Sequence, residues 1–389
     1  MSKWMMRIAI RLGLVFAGFV VLFTVLAATG NQSLRQEVRQ WRAAGLIDDH
    51  DAPHEVGEAY ERWQRAVGAL TNQRVIVRQL LEADEPTADQ AGERLTTLAP
   101  LLTAVHGAAF AEGPVTQAGP DQPHRWGEQL RDRLHESRDL VMLLEAEAKL
   151  HAIRGDHAAA SRAIEAGVTI ANRMGAHGVW LAQIARLSLL ERMLITLETV
   201  YAEGGLPGDG LRDRLLAIDL RQELAETFRA EGVHTLRLVS DTDPQTTAVN
   251  WSTRGWWYHD TAYLLEQYRE CMAMLEDEAL PMRALPVGED DVQHPFWART
   301  SRVVLPGVHA SLGARLAVQM RLAMALTAIE LREQAADGGA LPKTLEGVAV
   351  PSVEPGVDRP IVYERDADGA GFALRSTDEL VGEPVWWRW

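Results

Sequence analysis

Apolar residues recur at helical spacing over most of the chain. Val56, Tyr60 and Trp63 are separated by four and three positions, and the same period returns strongly between residues 126 and 155. Such spacing marks the buried face of an amphipathic helix. The two-residue alternation typical of strands is not convincing anywhere before residue 348. We therefore predict a mainly α-helical protein, with a helical ectodomain over residues 53–306.

An αα-hairpin is predicted where the Gly155-Asp156 pair interrupts the helical pattern. One helix ends there, and the next covers residues 158–174. The segment AEAKLHAIRGDHAAASRAIEAG resembles a tetratricopeptide unit, because small residues stand at the crossing and a Gly-Asp turn joins the helices. One such unit is recognisable in the chain.

The C-terminal region departs from the helical period. Gly338 and Gly339 end the last long helix, and residues 360–363 and 371–374 have the pattern of two short strands joined by a turn. We predict that residues 307–389 form a long helix followed by a small α+β hairpin cap.

The N-terminus carries the longest apolar run. Residues 12–28 include no charged side chain, and a helix over them would span roughly 26 Å, close to a bilayer core of about 30 Å. We predict one transmembrane signal anchor over residues 12–30, embedded in the lipid bilayer. It would follow a cytoplasmic tail over 1–11 and precede a stalk and turn over 31–52.

The charges around this run predict its orientation. Lys3, Arg7 and Arg11 precede the run, whereas all 54 acidic residues follow Gly30. The positive-inside rule places the N-terminus in the cytoplasm. The bulk of the chain would then lie on the periplasmic or extracytoplasmic side of the inner (cytoplasmic) membrane.

Besides a buried core helix, two other interpretations of the apolar run remain. A cleaved signal peptide is one, because the small residues Ala27, Ala28 and Gly30 stand at its end. A pilin-type N-terminus is the other, but that class needs a Glu shortly after a processing site, within the apolar run. The run LVFAGFVVLF contains none.

Composition narrows the classes of function. The 389 residues include 39 basic and 54 acidic side chains, a net charge of −15, which argues against a nucleic-acid partner. The single cysteine, Cys271, excludes an internal disulfide framework and a multi-cysteine zinc site.

The chain carries only weak motifs for metal binding or catalysis. His50 and His54 have a metal-ligand spacing, but Pro53 separates them, and capping of the next helix is the favoured interpretation. Glu147 and His151 lie four apart on a predicted helix and favour a solvated face. Glycine-rich nucleotide loops, a serine elbow and an H-E-x-x-H motif are lacking. We predict no cofactor, metal or catalytic residue.

Two aromatic clusters are candidates for contact with other molecules. Trp251, Trp256, Trp257 and Tyr258 form a possible recognition surface for a protein or a carbohydrate, with packing of a loop into a helical groove as the alternative. At the C-terminus, tryptophans are candidates for contact with the membrane interface or for covering the open face of the hairpin. These are Trp386, Trp387 and Trp389.

The C-terminal segment also resembles that of a group of uncharacterised membrane-anchored bacterial proteins, and it is similar to the C-terminal region of type II secretion major pseudopilins. The pattern is G-x-L-P-x-x-L-x-x-V, a proline-bearing linker, P-I-x-Y, an acidic turn and F-x-L-x-S. Here it is carried by Gly339, Leu341, Pro342, Leu345, Val348, Pro360, Ile361, Tyr363, Asp368, Gly369, Phe372, Leu374 and Ser376.

The resemblance implies a shared small fold at the C-terminus and no more. Ser376 leads into TDELVGEP, so the Gly-Asp pair of calcium-binding pseudopilins is missing, as is the N-terminal processing signature. We expect a single-pass envelope protein that binds or scaffolds a protein partner, because helical hairpins form concave surfaces. An accessory of a secretion or pilus-like system, and an envelope hydrolase or carbohydrate-binding protein, are the alternatives.

Overall fold

The computed structural model shows a mainly helical fold with one small sheet. This confirms the prediction of a mainly α-helical protein. The structure describes residues 22, 24–26, 28–46, 58–82, 86–112, 123–175, 180–202, 207–241, 251–277, 280, 301–338, 340–351, 361–367, 371–377 and 385–388.

Ten helices and three strands occur within these described ranges. Helix α1 covers residues 28–43, and residues 22 and 24–26 before it are also helical. The remaining elements are α2 (Glu58–Glu82), α3 (Ala88–Ala109), α4 (Pro123–Ile153), α5 (His157–Gly175), α6 (Trp180–Tyr201), α7 (Asp209–Leu216), α8 (Leu220–Asp241), α9 (Trp251–Glu276), α10 (Ser301–Gly338), β1 (Ile361–Arg365), β2 (Phe372–Ser376) and β3 (Trp386–Arg388).

The chain divides into two compact units, each assembled from separate segments. The first unit comprises the described parts of residues 1–50, 225–277 and 284–310. The second unit comprises the described parts of residues 51–224, 278–283 and 311–389. These units differ from the sequence-based division at residue 306.

In the first unit, α1 is packed against α9. Trp41 has no exposed surface, and its Nε1 donates a hydrogen bond to the carbonyl oxygen of Leu265 at 3.3 Å. Arg269 Nη2 lies 3.2 Å from Glu37 Oε1. The segment predicted as a stalk therefore contributes buried residues to a folded unit.

In the second unit, the predicted hairpin forms between α4 and α5. Gly155 adopts φ of +73°, a left-handed conformation that glycine reaches without a steric penalty. Asp156 then caps α5, because its Oδ1 accepts a hydrogen bond from the backbone N–H of Ala159 at 3.0 Å.

The helical region from Asp209 to Asp241 is divided into two helices. Helix α7 ends at Leu216 and α8 begins at Leu220. Asp219 Oδ1 accepts hydrogen bonds from the backbone N–H groups of Arg221 and Gln222, at 3.0 and 2.9 Å. Such local bonding competes with helix continuation, and it starts a new helix at this aspartate.

The sheet has the antiparallel order β1-β2-β3. Alternate residues Phe372, Leu374 and Ser376 of β2 are buried, so one face of the sheet packs inward. The hairpin of β1 and β2 was predicted, whereas β3 was not. The backbone N–H of Arg388 in β3 donates to Glu198 Oε1 at 2.8 Å, which fixes this strand on α6.

Among the described residues, one helical segment, Leu312–Gly338, has the length and apolar composition of a membrane span. Of its most apolar window, 67% is buried inside the protein, as in the core helix of a folded domain. Most of the predicted anchor over residues 12–30 lies outside the described part; its described residues, 22, 24–26 and 28–30, are helical.

Candidate functional site

A groove of about 650 Å³ opens on the second unit. Helix α4 forms its floor, because residues spaced three and four apart on a helix point to one side. Helices α3 and α6 contribute the flanking side chains, and α2 and α5 contribute residues at the edges. The apolar lining includes Val77, Leu98, Met142, Leu150, Ile153 and Val200.

Cationic side chains surround this apolar floor. Arg94 of α3, Lys149 of α4 and Arg192 of α6 line the groove together with one described carboxylate, Glu145. Lys149 Nζ lies 2.7 Å from Glu145 Oε1, and Arg192 also pairs with Glu145. Three cationic side chains and one described carboxylate thus line the groove, in a chain of net charge −15.

His157 also lines the groove. Its Nδ1 is buried and has no hydrogen-bond partner within the described part of the chain. The ring lies 5.7 Å from that of Tyr201, whose hydroxyl donates to the carbonyl oxygen of His157 at 2.9 Å. Burial raises the pKa of Tyr201 to about 12, so this phenol stays neutral at physiological pH.

A partly buried chain of histidines and carboxylates lies on α3 and α4 of the same unit. His106 Nε2 is 2.9 Å from Glu147 Oε2, and His151 Nε2 is 3.8 Å from Glu147 Oε1. Only 8% of the Glu147 side chain is exposed, so the predicted solvated face is wrong for this residue. Burial lowers the pKa of His151.

Metal binding receives no support from these groups. Within the described ranges, no cluster of three or more histidine, cysteine, aspartate or glutamate side chains is placed to hold a metal ion. The sequence cluster around His50 and His54 lies outside the described residues.

The first aromatic cluster lies on a helix and not in a loop. Helix α9 begins at Trp251, and Trp256, Trp257 and Tyr258 follow within it, each partly exposed. The expectation that this cluster lies in a loop is therefore wrong. The side chain of Trp251 is outside the described part, and the rings of Trp257 and Tyr258 are 5.7 Å apart.

The C-terminal tryptophans separate into different environments. Trp387 has no exposed surface and belongs to the core of the second unit, so it cannot contact a bilayer, and that expectation is corrected. Trp386 is 42% exposed, with the guanidinium of Arg388 5.8 Å from its ring centre. Trp389 lies outside the described residues.

The groove could not be predicted from the sequence. Its cations come from three helices that are far apart in the chain, and each one alone has the pattern of an ordinary solvated position. The one available signal was the helical hairpin, which predicts a concave surface without predicting its charge.

Comparison of the chain with known protein families, with curated proteins and with solved structures finds no match.

Proposed function

We propose that this chain is a single-pass, membrane-anchored envelope protein that binds a protein partner in the groove of its second unit. Its N-terminus would lie in the cytoplasm. The two units would lie on the periplasmic or extracytoplasmic side of the inner membrane. The grouping of three cationic side chains from three helices around an apolar groove is the observation that carries the binding proposal.

The groove chemistry suggests the kind of partner. Aliphatic side chains such as Leu150 and Ile153 bind apolar groups, whereas Arg94, Lys149 and Arg192 attract carboxylates. A protein segment that carries both apolar and acidic side chains matches this lining.

The packing of α1 supports an uncleaved anchor over residues 12–30. Thr29 Oγ1 lies 3.0 Å from His259 Nε2, and a Cβ placed at Gly30 would lie 3.1 Å from His259 Cδ2. Signal-peptide cleavage at Ala27, Ala28 or Gly30 would place the new N-terminus inside or directly beside this packed segment. Retention of the apolar run keeps the contact intact.

Site-specific photo-crosslinking tests the groove. A photoreactive amino acid replaces Ile153, which lines the groove and is 42% exposed, in the full-length protein in its native membrane. The matched control carries the same group at Val75, which is apolar, 71% exposed and outside the groove lining. We expect a discrete crosslinked product from position 153 and not from position 75.

Neutralising the groove charges provides the second arm of the test. Arg94→Gln with Lys149→Gln should remove the product at position 153, whereas Lys343→Gln, an exposed change in the same unit, should leave it unchanged. Equal crosslinking from positions 153 and 75, or crosslinking that does not depend on the groove charges, would refute the proposal.

The identity of the crosslinked partner would distinguish a scaffold from a secretion accessory. A carbohydrate-active role would instead require glycan binding that depends on the α9 aromatics.

A further inference from the structure

Three consecutive aromatic residues of α9, Trp256, Trp257 and Tyr258, form a surface that the groove does not use. Successive residues turn by about 100° around a helix, so the three side chains cover a broad arc of α9. Each remains partly exposed within the first unit. Large aromatic rings left in contact with water are typical of a surface that is covered in the assembled state.

This surface lies beside the residue at which the predicted membrane span ends. A Cβ added at Gly30 would overlap the carbonyl oxygen of Gly255 and lie 3.2 Å from the Cβ of Tyr258. The backbones of α1 and α9 thus approach closely at two glycines. The aromatic segment of α9 is therefore level with the end of the apolar run.

A second pair of contacts fixes the relative direction of the two helices. His259 meets α1 at Thr29, and Arg269 meets it at Glu37. Because residue numbers increase together along both helices, α1 and α9 run in the same direction. The beginning of α9 and the apolar run therefore lie at the same end of the first unit.

The exposed side chains at this end of α1 are also apolar. Leu22 is 50% exposed and Val25 is 52% exposed, within the stretch that we propose to enter the membrane. The ion pair of Glu37 with Arg269 lies one to two turns farther along α1, roughly 10 Å from Gly30 at 1.5 Å per residue. Polarity thus increases away from the proposed membrane surface.

We propose that Trp256, Trp257 and Tyr258 lie in the headgroup layer of the bilayer that residues 12–30 enter. The inference rests on the proposed function, since it requires the anchor. Tryptophan and tyrosine favour this layer because their rings are apolar while their N–H and O–H groups bond to water or lipid. Nε1 of Trp256 is buried, so this residue would contribute only ring surface. With residues 12–30 crossing the membrane and only the beginning of α9 at its surface, the first unit would have a fixed tilt on the bilayer.

Single-cysteine labelling of the full chain tests this placement. Cys271 is completely buried, and burial raises the pKa of its thiol to about 12, so it does not compete for the label. An environment-sensitive fluorophore is attached separately to Trp257→Cys, Ala273→Cys and Leu22→Cys. Each protein is reconstituted into phosphatidylethanolamine–phosphatidylglycerol vesicles that contain a lipid with a nitroxide quencher.

Position 273 is the matched control on the same helix. It is exposed and lies 16 positions beyond residue 257, roughly 24 Å along α9. We expect a headgroup nitroxide to remove most of the emission at position 257 and little at position 273. An acyl-chain nitroxide should quench position 22 most strongly.

The outcomes distinguish the two proposals. Quenching at position 22 without quenching at position 257 overturns the aromatic contact and leaves the anchor standing; the surface would then face water, free for a soluble partner or a glycan. Absence of quenching at position 22 overturns the anchor and the aromatic contact together. If Trp257→Cys lowers the thermal unfolding temperature, Tyr258→Cys provides the same readout at the adjacent position.

Discussion

Gly232 of α8 lies directly against the indole ring of Trp41 in α1. A methyl group at Gly232 would lie 2.6 Å from both Cζ2 and Cζ3 of that ring, well inside van der Waals contact. Trp41 is completely buried and its Nε1 is hydrogen-bonded to Leu265, so the ring has little freedom to move. The glycine thus sets how closely α8 and α1 approach.

We predict that Gly232→Ala destabilises the protein by overpacking, with a loss of about 1–3 kcal/mol in the free energy of unfolding. Gly68→Ala is the matched control, because Gly68 is an exposed helical glycine with no atom within 4 Å of its added Cβ. That change should stabilise α2 by about 0.5–1 kcal/mol. Urea unfolding measures both; equal effects of the two substitutions would contradict the packing argument.

A buried ion pair in the second unit yields another prediction. Arg186 has 2% of its side chain exposed, and its Nη2 donates to Glu223 Oε1 at 2.6 Å. Glu223→Gln would remove a carboxylate charge from beside a buried guanidinium, and we expect a loss of about 3 kcal/mol in unfolding free energy. Asn172, which also accepts from Arg186, keeps the cost from being greater.

The control for this pair is an exposed pair elsewhere in the same unit. Glu58 and Arg62 pair at i and i+4 on α2, with 68% and 41% of their side chains exposed. Glu58→Gln should change stability by less than about 0.5 kcal/mol, because water screens such pairs. Comparable losses in both variants would show that burial does not decide the strength of the Arg186 pair.

The tryptophans of β3 should differ strongly in their contribution to stability. Trp387 is fully buried in the core, and Trp387→Ala should cost about 3–5 kcal/mol through the cavity that it leaves. Trp386 is 42% exposed, and Trp386→Ala should cost less than about 1 kcal/mol. Thermal unfolding of the two variants tests the contrast, and a reversed order would invalidate the assigned orientation of β3.

The protonation of His151 should make stability depend on pH. Burial lowers its pKa below the usual 6.5, although Glu147 and Asp156 oppose the shift and Arg154 and Arg162 reinforce it. As the pH falls through 6.5, the unfolded chain therefore binds a proton that the folded chain resists. The folded state should lose stability in this range relative to a variant without the histidine.

His151→Gln isolates this contribution. The difference in unfolding free energy between the wild-type protein and this variant should shift against the wild type as the pH falls from above 6.5 to below it. Urea unfolding at several pH values measures the difference. A difference that is independent of pH would mean that the imidazole titrates alike in both states.

The presence of helices could be predicted from the sequence because the spacing of apolar residues reflects local helical geometry. Helices α4 and α5 follow the predicted ranges, 126–155 and 158–174, to within a few residues. The beginning of α9 was missed because polar and turn-forming residues before Thr261 masked its helical character, and β3 was missed because three residues carry too little pattern. Asp219 was missed for another reason: a cap within an apolar run differs from a solvated aspartate only through its hydrogen bonds.

The candidate groove and the buried ion pairs could not be predicted from spacing. Arg186 and Glu223 are separated by 37 positions, and no local rule selects this carboxylate from the 54 acidic residues. The aromatic residues of α9 could be recognised as a cluster in the sequence. Its position beside Gly30 depends on the packing of two helices that lie more than two hundred residues apart.

The separation of α1 from α9 also has a consequence for biosynthesis. Trp41 and Leu265 are 224 positions apart, and all of α2 to α7 is synthesised between them. A chain anchored as proposed would insert residues 12–30 into the membrane long before the packing partners of α1 leave the ribosome. The first unit would therefore fold after most of the second, around a helix already fixed at one end. During synthesis the bilayer would shield the apolar residues 12–28, which otherwise invite aggregation.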